Sequence, residues 1–176
     1  MTDPELIEGI LQRDRKAFQY LVNKYQKQVI KTAYYFIGNM EEAEDLSQDI
    51  FMGIIDSIKK FKGASALSTW IYRITVNKSL NVVKRNKRKD IFTRATGKEP
   101  AILTHTMEEK ETREIMYRVI KSLPGRQYTA FTLHKFDDLP YKEIASIMEI
   151  SLASVESLIH RAKMNLQKKL TPYELR

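Results

Sequence analysis

Apolar residues in this chain recur at helical steps, and nowhere do they alternate long enough to build a sheet. Phe18, Leu21, Val22, Tyr25, Val29, Ala33 and Phe36 fall three and four apart, the spacing that lines up one face of an α-helix. A chain patterned this way must bury several such faces against one another, so an all-α fold is predicted. Asp3-Pro4-Glu5 offers a capping residue, a first-turn proline and an acid near the dipole, so a short helix should run from there to about Gln12. Gly38-Asn39 ends the long helix. Asn39 with Glu42 then has the spacing of a capping box and opens a third helix, with Ala43, Leu46, Ile50 and Ile54 on its buried stripe.

The other side of that third helix holds Glu41, Glu44, Asp45, Gln48 and Asp49. Acids near a helix start are favoured by the dipole, and a solvated face explains them as well as a protein-docking surface does. Phe61-Lys62-Gly63-Ala64-Ser65 breaks the helical pattern, with Gly63 permitting the turn. A new helix is expected from Ser68. Its Arg73, Asn77, Asn81, Lys84 and Arg88 share one stripe, and Lys84, Arg85, Lys87, Arg88 and Lys89 crowd its end. Leu67, Trp70, Ile71 and Ile74 flank the stripe on one side. Tyr72, Val76, Leu80 and Val83 lie on the other. Such a helix is wedged into a bundle and shows one cationic, amide-bearing edge. Trp70 can be core, or it can join the neighbouring loop and cations in stacking on a nucleobase.

After Lys89 the period disappears. The stretch 91–106, containing Gly97 and Pro100, reads as a flexible linker between domains spanning 1–90 and 107–176. Helicity resumes near Met107, and Leu123-Pro124-Gly125 makes a turn. Pro140 stands beside a first helical position. The segments YKEIASIM, EIS and LASVESLIHRAK then have the layout of a helix-turn-helix. The last helix should run to about Leu170, with Val155, Ile159, Ala162, Leu166 and Leu170 buried. Ser157, Arg161, Met164 and Lys168 lie opposite, flanked by Ser154, Glu156, Leu158 and His160. Residues near the start of a recognition helix reach base edges, while Lys163, Lys168 and Lys169 suit phosphates. An ordinary helical hairpin has the same pattern.

Thirty Lys and Arg against 22 Asp and Glu leave a net charge of +8, which favours a polyanionic partner, usually nucleic acid and less often a membrane surface. With no cysteine, disulfides, thiolate metal sites and cysteine nucleophiles are excluded. The acidic N-terminus lacks the build of a signal peptide, and no apolar run approaches the roughly 20 residues of a membrane span. A soluble intracellular protein is expected. His105, His134 and His160 lack metal-ligand spacing, and the six glycines are scattered singly. No catalytic residue, metal or cofactor is therefore assigned.

The segments AFQYLVNKYQ, EEAEDLSQDIF and STWIYRITVNKSLN, followed by LPGRQYTAF, LPYKEIASIM and SVESLIHRAKMNLQKKL, resemble in order and spacing the bacterial extracytoplasmic-function (ECF) sigma factors, the smallest class of RNA polymerase specificity subunits. The resemblance spans nearly the whole chain outside the linker. It implies two helical domains in a non-catalytic cytoplasmic subunit, known as sigma regions 2 and 4. The first would dock on the clamp helices of the polymerase β′ subunit through Glu41, Glu44, Asp45, Gln48 and Asp49. It would recognise and melt the −10 promoter element through Phe61, Lys62, Ser65, Ser68, Trp70, Tyr72, Arg73, Asn77, Asn81, Lys84, Arg85 and Arg88. The second would read the −35 element as duplex through Ser154, Glu156, Ser157, His160, Arg161, Lys163 and Lys168, with the β flap as a further contact. An anti-sigma factor that occludes these surfaces is also implied; a small-molecule substrate and membrane insertion are not.

Some positions depart from the family pattern. Glu156 stands where a base is common, Leu158 where arginine is, Asn81 where aspartate is, and Pro140 where an N-cap serine is. A stand-alone helix-turn-helix regulator and a nucleic-acid enzyme are the alternatives. The first would not bind core polymerase, and the second would need a metal or nucleophile cluster.

Overall fold

The computed structural model describes residues 1–95 and 115–174, which are helical with no strand among them. The chain divides into two compact units, Met1–Phe92 and Thr93–Arg176, each with its own core.

The first unit begins with α1 (Asp3–Leu11), which is capped by Thr2 rather than by Asp3. The Thr2 hydroxyl accepts from the Glu5 N–H at 3.4 Å, and the Thr2 N–H donates to the Glu5 carboxylate at 2.7 Å. The backbone bond from Thr2 holds the Glu5 carboxyl below its ordinary range. With Thr2 as the cap, Pro4 sits inside the first turn, where its missing N–H costs nothing, and Asp3 faces the dipole. Asp14 caps α2 (Arg15–Ile37), which ends at Gly38 with φ 83°. Asn39 caps α3 (Met40–Ser57) by accepting from the Glu42 N–H at 3.0 Å. A 3₁₀ turn (Ile58–Lys60) and a loop lead to α4 (Leu67–Ala95). Helix α2 packs on α1 and α3. The core joins Leu6 and Ile10 to Leu21 and Val29, Ile50 and Ile54, Ile58, and Leu67 and Ile71.

Helix α4 runs into the stretch expected to be linker. RKDIFTRA contains neither glycine nor proline, so nothing in it stops a helix already propagating; Gly97 and Pro100 come only later. The remaining linker positions 96–106, the expected restart at 107–114 and His105 lie outside the described residues.

In the second unit, residues 115–121 form α5. Helix α6 (Gly125–Lys135), α7 (Tyr141–Met148) and α8 (Leu152–Glu174) follow. Helix α6 packs on both α7 and α8, which also pack on each other. Leu133, Ile144, Ile147, Val155, Ile159 and Ala162 fill the centre. Asp138 adopts φ 52° in the turn after α6, where the His134 ring nitrogen Nδ1 lies 3.2 Å from the Leu139 carbonyl oxygen and the ring meets Tyr141 edge-on at 4.9 Å. This histidine secures the approach to α7. Pro140 occupies the N-cap of α7 and supplies no side-chain cap. The last helix continues past the expected stop at Leu170.

Candidate nucleic-acid interface

Three surfaces carry the residues singled out above. On α3, Glu41, Glu44, Asp45, Gln48 and Asp49 are all exposed, back to back with the buried Ala43, Leu46, Ile50 and Ile54. No lysine or arginine interrupts the helix. Met52 lies one turn beyond Gln48 and Asp49 on the same face and is 61% exposed. The sequence reading missed it, although an apolar residue continuing a polar stripe at i+3 and i+4 is a detectable signal.

The second surface is the loop before α4 together with that helix's outer edge. Gly63 takes φ +68°, and nothing lies within 4 Å of where a Cβ would point, so the turn itself demands the glycine. The loop and α1 border an open concavity of about 410 Å³ lined by Asp3, Ile7, Glu8, Phe61, Ser65 and Leu67, among others. That volume lies within the range of about 300–1,000 Å³ typical of small-ligand sites. Phe61 and Trp70 pack with ring centres 5.4 Å apart and planes tilted by 54°, and both rest against the core. Trp70 is thus half core and half wall of the loop. Lys62 is exposed, while Ser65 and Ser68 are half-buried. The contribution of α1 to this cavity was not read from sequence, because it depends on a contact between segments some sixty positions apart.

Along α4, Asn77, Asn81, Lys84, Arg85 and Arg88 are exposed, and Arg73 is half-buried. Tyr72 is different. It is only 8% exposed, because it belongs with Val76 on the inward side of the helix. The structure therefore removes Tyr72 from the outward-facing set. Two bonds tie α4 to α3. The Lys78 ammonium donates to the Asp49 carbonyl at 2.9 Å, and the Asn86 amide donates to the Glu42 carboxylate at 3.0 Å. A Cβ at Gly53 would come 3.2 Å from the Lys78 nitrogen, so the glycine makes room for the lysine on α3.

The third surface is α8. Glu149 closes α7 in the left-handed conformation at φ 54°, and the Ser151 hydroxyl accepts from the Ser154 N–H at 3.2 Å. The Ser154 hydroxyl lies 2.8 Å from that of Ser151, so Ser154 serves the helix start. Glu156, Ser157, His160, Arg161, Lys163 and Lys168 are exposed, opposite the buried Val155, Ile159, Ala162 and Leu166. The Arg161 Nε donates to the Ser157 carbonyl at 3.2 Å, which lays the guanidinium along the exposed face. Two expectations are corrected. Leu158 is 9% exposed, because it lies three residues after Val155 and four before Ala162 and so joins the buried edge. Lys169 donates to the Ser122 hydroxyl at 2.6 Å, which commits it to the end of α5.

No group of three or more His, Cys, Asp or Glu side chains that could hold a metal occurs among the described residues. No helix among them is long and apolar enough to cross a membrane.

The chain matches two family models, Sigma-70 region 2 over residues 21–89 and Sigma-70 region 4 over residues 113–166. It is 32% identical to the ECF RNA polymerase sigma-E factor of Escherichia coli, covering 98% of this chain and 96% of that protein. It is 30% identical to the RNA polymerase sigma-H factor of Pseudomonas aeruginosa, covering 97% and 94%. Among solved structures, CnrH in complex with the cytosolic domain of CnrY is similar in fold, with a TM-score of 0.71, 18% identity and 97% of each chain covered. So is the sigma factor RpoE in complex with the anti-sigma factor NepR from Bartonella quintana, with a TM-score of 0.67, 20% identity, and 89% and 98% covered. The model matches fall on the two helical units, and the curated relatives run the length of the chain. With near-complete coverage at this identity, the chain belongs to the extracytoplasmic-function family of sigma factors, the subunits that direct RNA polymerase to promoters for initiation of transcription.

Proposed function

We propose that this sigma factor divides initiation among its three surfaces. The acidic face of α3, with Met52 at its C-terminal end, docks on core polymerase, on the clamp helices of β′. The loop and outer edge of α4 open the −10 element by receiving an extruded base. The exposed face of α8 reads the −35 element as duplex, with the β flap beside this domain. The observation that carries the proposal is the cavity between α1 and the Phe61–Leu67 loop. Phe61, whose ring packs on Trp70, forms part of its wall, and the loop leads into α4, whose Asn77, Asn81 and Lys84 are exposed. Extruding a base costs a few kcal/mol, which stacking and a shaped pocket must offset. The acids of α3 fit a cationic protein partner and would repel DNA.

The protein makes and breaks no bonds of its own in this account, and it works where bacterial RNA polymerase works, in the cytoplasm. The two solved relatives are each bound to another protein, and one of those partners is named an anti-sigma factor. A partner of that kind, covering the polymerase- and DNA-facing surfaces, is proposed here as well. The test is run-off transcription from a library of genomic fragments with core polymerase and the purified chain. Transcripts that start at a shared promoter sequence only when the chain is present are expected. No chain-dependent start sites would leave a stand-alone helix-turn-helix regulator as the better account.

A further inference from the structure

Helix α2 and helix α3 pack together with opposite charge. The 23 residues of α2 contain no acid, and α3 contains no base. The bases of α2 are not scattered. Tyr20, Lys24, Lys27, Lys31 and Tyr34 follow one another at steps of four, three, four and three, and all five are exposed. They form one outward stripe, three cations long with a tyrosine at each end. The stripe extends over about 21 Å at 1.5 Å per residue, a length that about six stacked nucleotides span at 3.4 Å each. Nothing in the docking or promoter-reading surfaces described above uses it.

Its position makes it informative. The Lys24 ammonium is 3.5 Å from the Asp3 carboxylate, and Asp3 lines the cavity between α1 and the loop. Lys24, the second member of the stripe, is therefore tied to the wall of that pocket. Lys31 lies over the Tyr35 ring at 5.7 Å and Lys24 over the Tyr25 ring at 5.1 Å, so aromatic surface supports the cations. A row of cations flanked by exposed rings suits a nucleic-acid strand, whose phosphates need charge and whose unstacked bases need flat partners. Tyrosines also pack at protein interfaces, so an acidic protein surface is the alternative that the test below separates.

We propose that the Tyr20–Tyr34 stripe of α2 is a track for single-stranded DNA, continuing the melted strand away from the loop pocket, a placement that rests on base capture by the Phe61–Leu67 loop. Lys27 and Lys31 hold phosphates, and Tyr34 stacks on a base beyond them. Strand captured in the pocket is thereby kept from re-annealing on that side.

The test uses the full chain assembled with core polymerase and the promoter that wild-type holoenzyme selects. Two single-stranded probes are compared, one limited to the −10 element and one extended to either side, with affinity measured across salt concentrations. Each phosphate neutralised on a single strand contributes about 0.7 to the slope of log K against log salt, so Lys27→Gln with Lys31→Gln should lower the slope by about 1.4 on the extended probe. The same double variant should leave the short probe unchanged. An unchanged slope on the extended probe overturns the track. So does an equal loss on both probes, or weakened association with core polymerase alone, which would assign the stripe to an acidic protein surface. Wild-type holoenzyme that binds neither probe overturns base capture, and the track with it.

Discussion

Met52→Ala separates an apolar anchor from the acidic stripe that precedes it on α3. The side chain is 61% exposed in the free protein, so it contributes little to folding and has most of its surface still to bury. Fully burying a methionine is worth about 1.5–3 kcal/mol, and the still-exposed share corresponds to about 1–2 kcal/mol, or about five- to thirty-fold in Kd. Competition of the unlabelled variant against labelled wild-type chain for core polymerase measures this. Thermal denaturation should show both proteins equally folded. The loss should persist at high salt, because it comes from apolar burial. Asp45→Asn should act the other way, slowing association at low salt and converging on wild type as salt rises. An affinity for core polymerase unchanged by Met52→Ala, with the fold intact, would refute the placement of α3's outer face at the interface.

Two further substitutions address α8. Arg161→Ala should weaken promoter binding by about 1–3 kcal/mol if the guanidinium contacts a base edge; the −35 base substitution that no longer matters in the variant identifies that base, and a uniform loss over all sequences assigns Arg161 to phosphate instead. Leu158→Arg installs the residue that the resemblance implies at this position but sets it on the buried edge, so calorimetry should show the C-terminal domain destabilised by about 1–3 kcal/mol; a variant that keeps wild-type stability and binds DNA more tightly would contradict the inward placement of residue 158.

Helical periodicity made most of the fold legible. The stripe from Phe18 to Phe36 became α2 with five of its seven members buried, because spacing alone decides which residues share a face. Capping was legible where one motif stood alone, as at Asn39, and misassigned where Thr2 and Asp3 competed for the same role. The end of α4 was misread because loss of amphipathic pattern was taken for loss of helix, although RKDIFTRA lacks any breaker. Tyr72 was assigned to the −10 element through the resemblance although its register already set it beside Val76, and Leu158 was set on the outer flank although its register puts it beside Ala162. The α1 wall of the loop cavity could not be read at all. It exists only because residues 3–8 and 61–67 meet across the bundle, and no local pattern records that meeting.

Permanganate reactivity of promoter thymines tests the division of labour most directly. With core polymerase and the wild-type chain, thymines in the −10 element should become reactive while the −35 element is protected. With Asn77→Ala, which alters an exposed residue on the outer edge of α4, reactivity at −10 should fall and protection at −35 should remain. Full −10 reactivity in the variant, or loss of both signals together, would contradict the assignment of strand opening to the loop and α4.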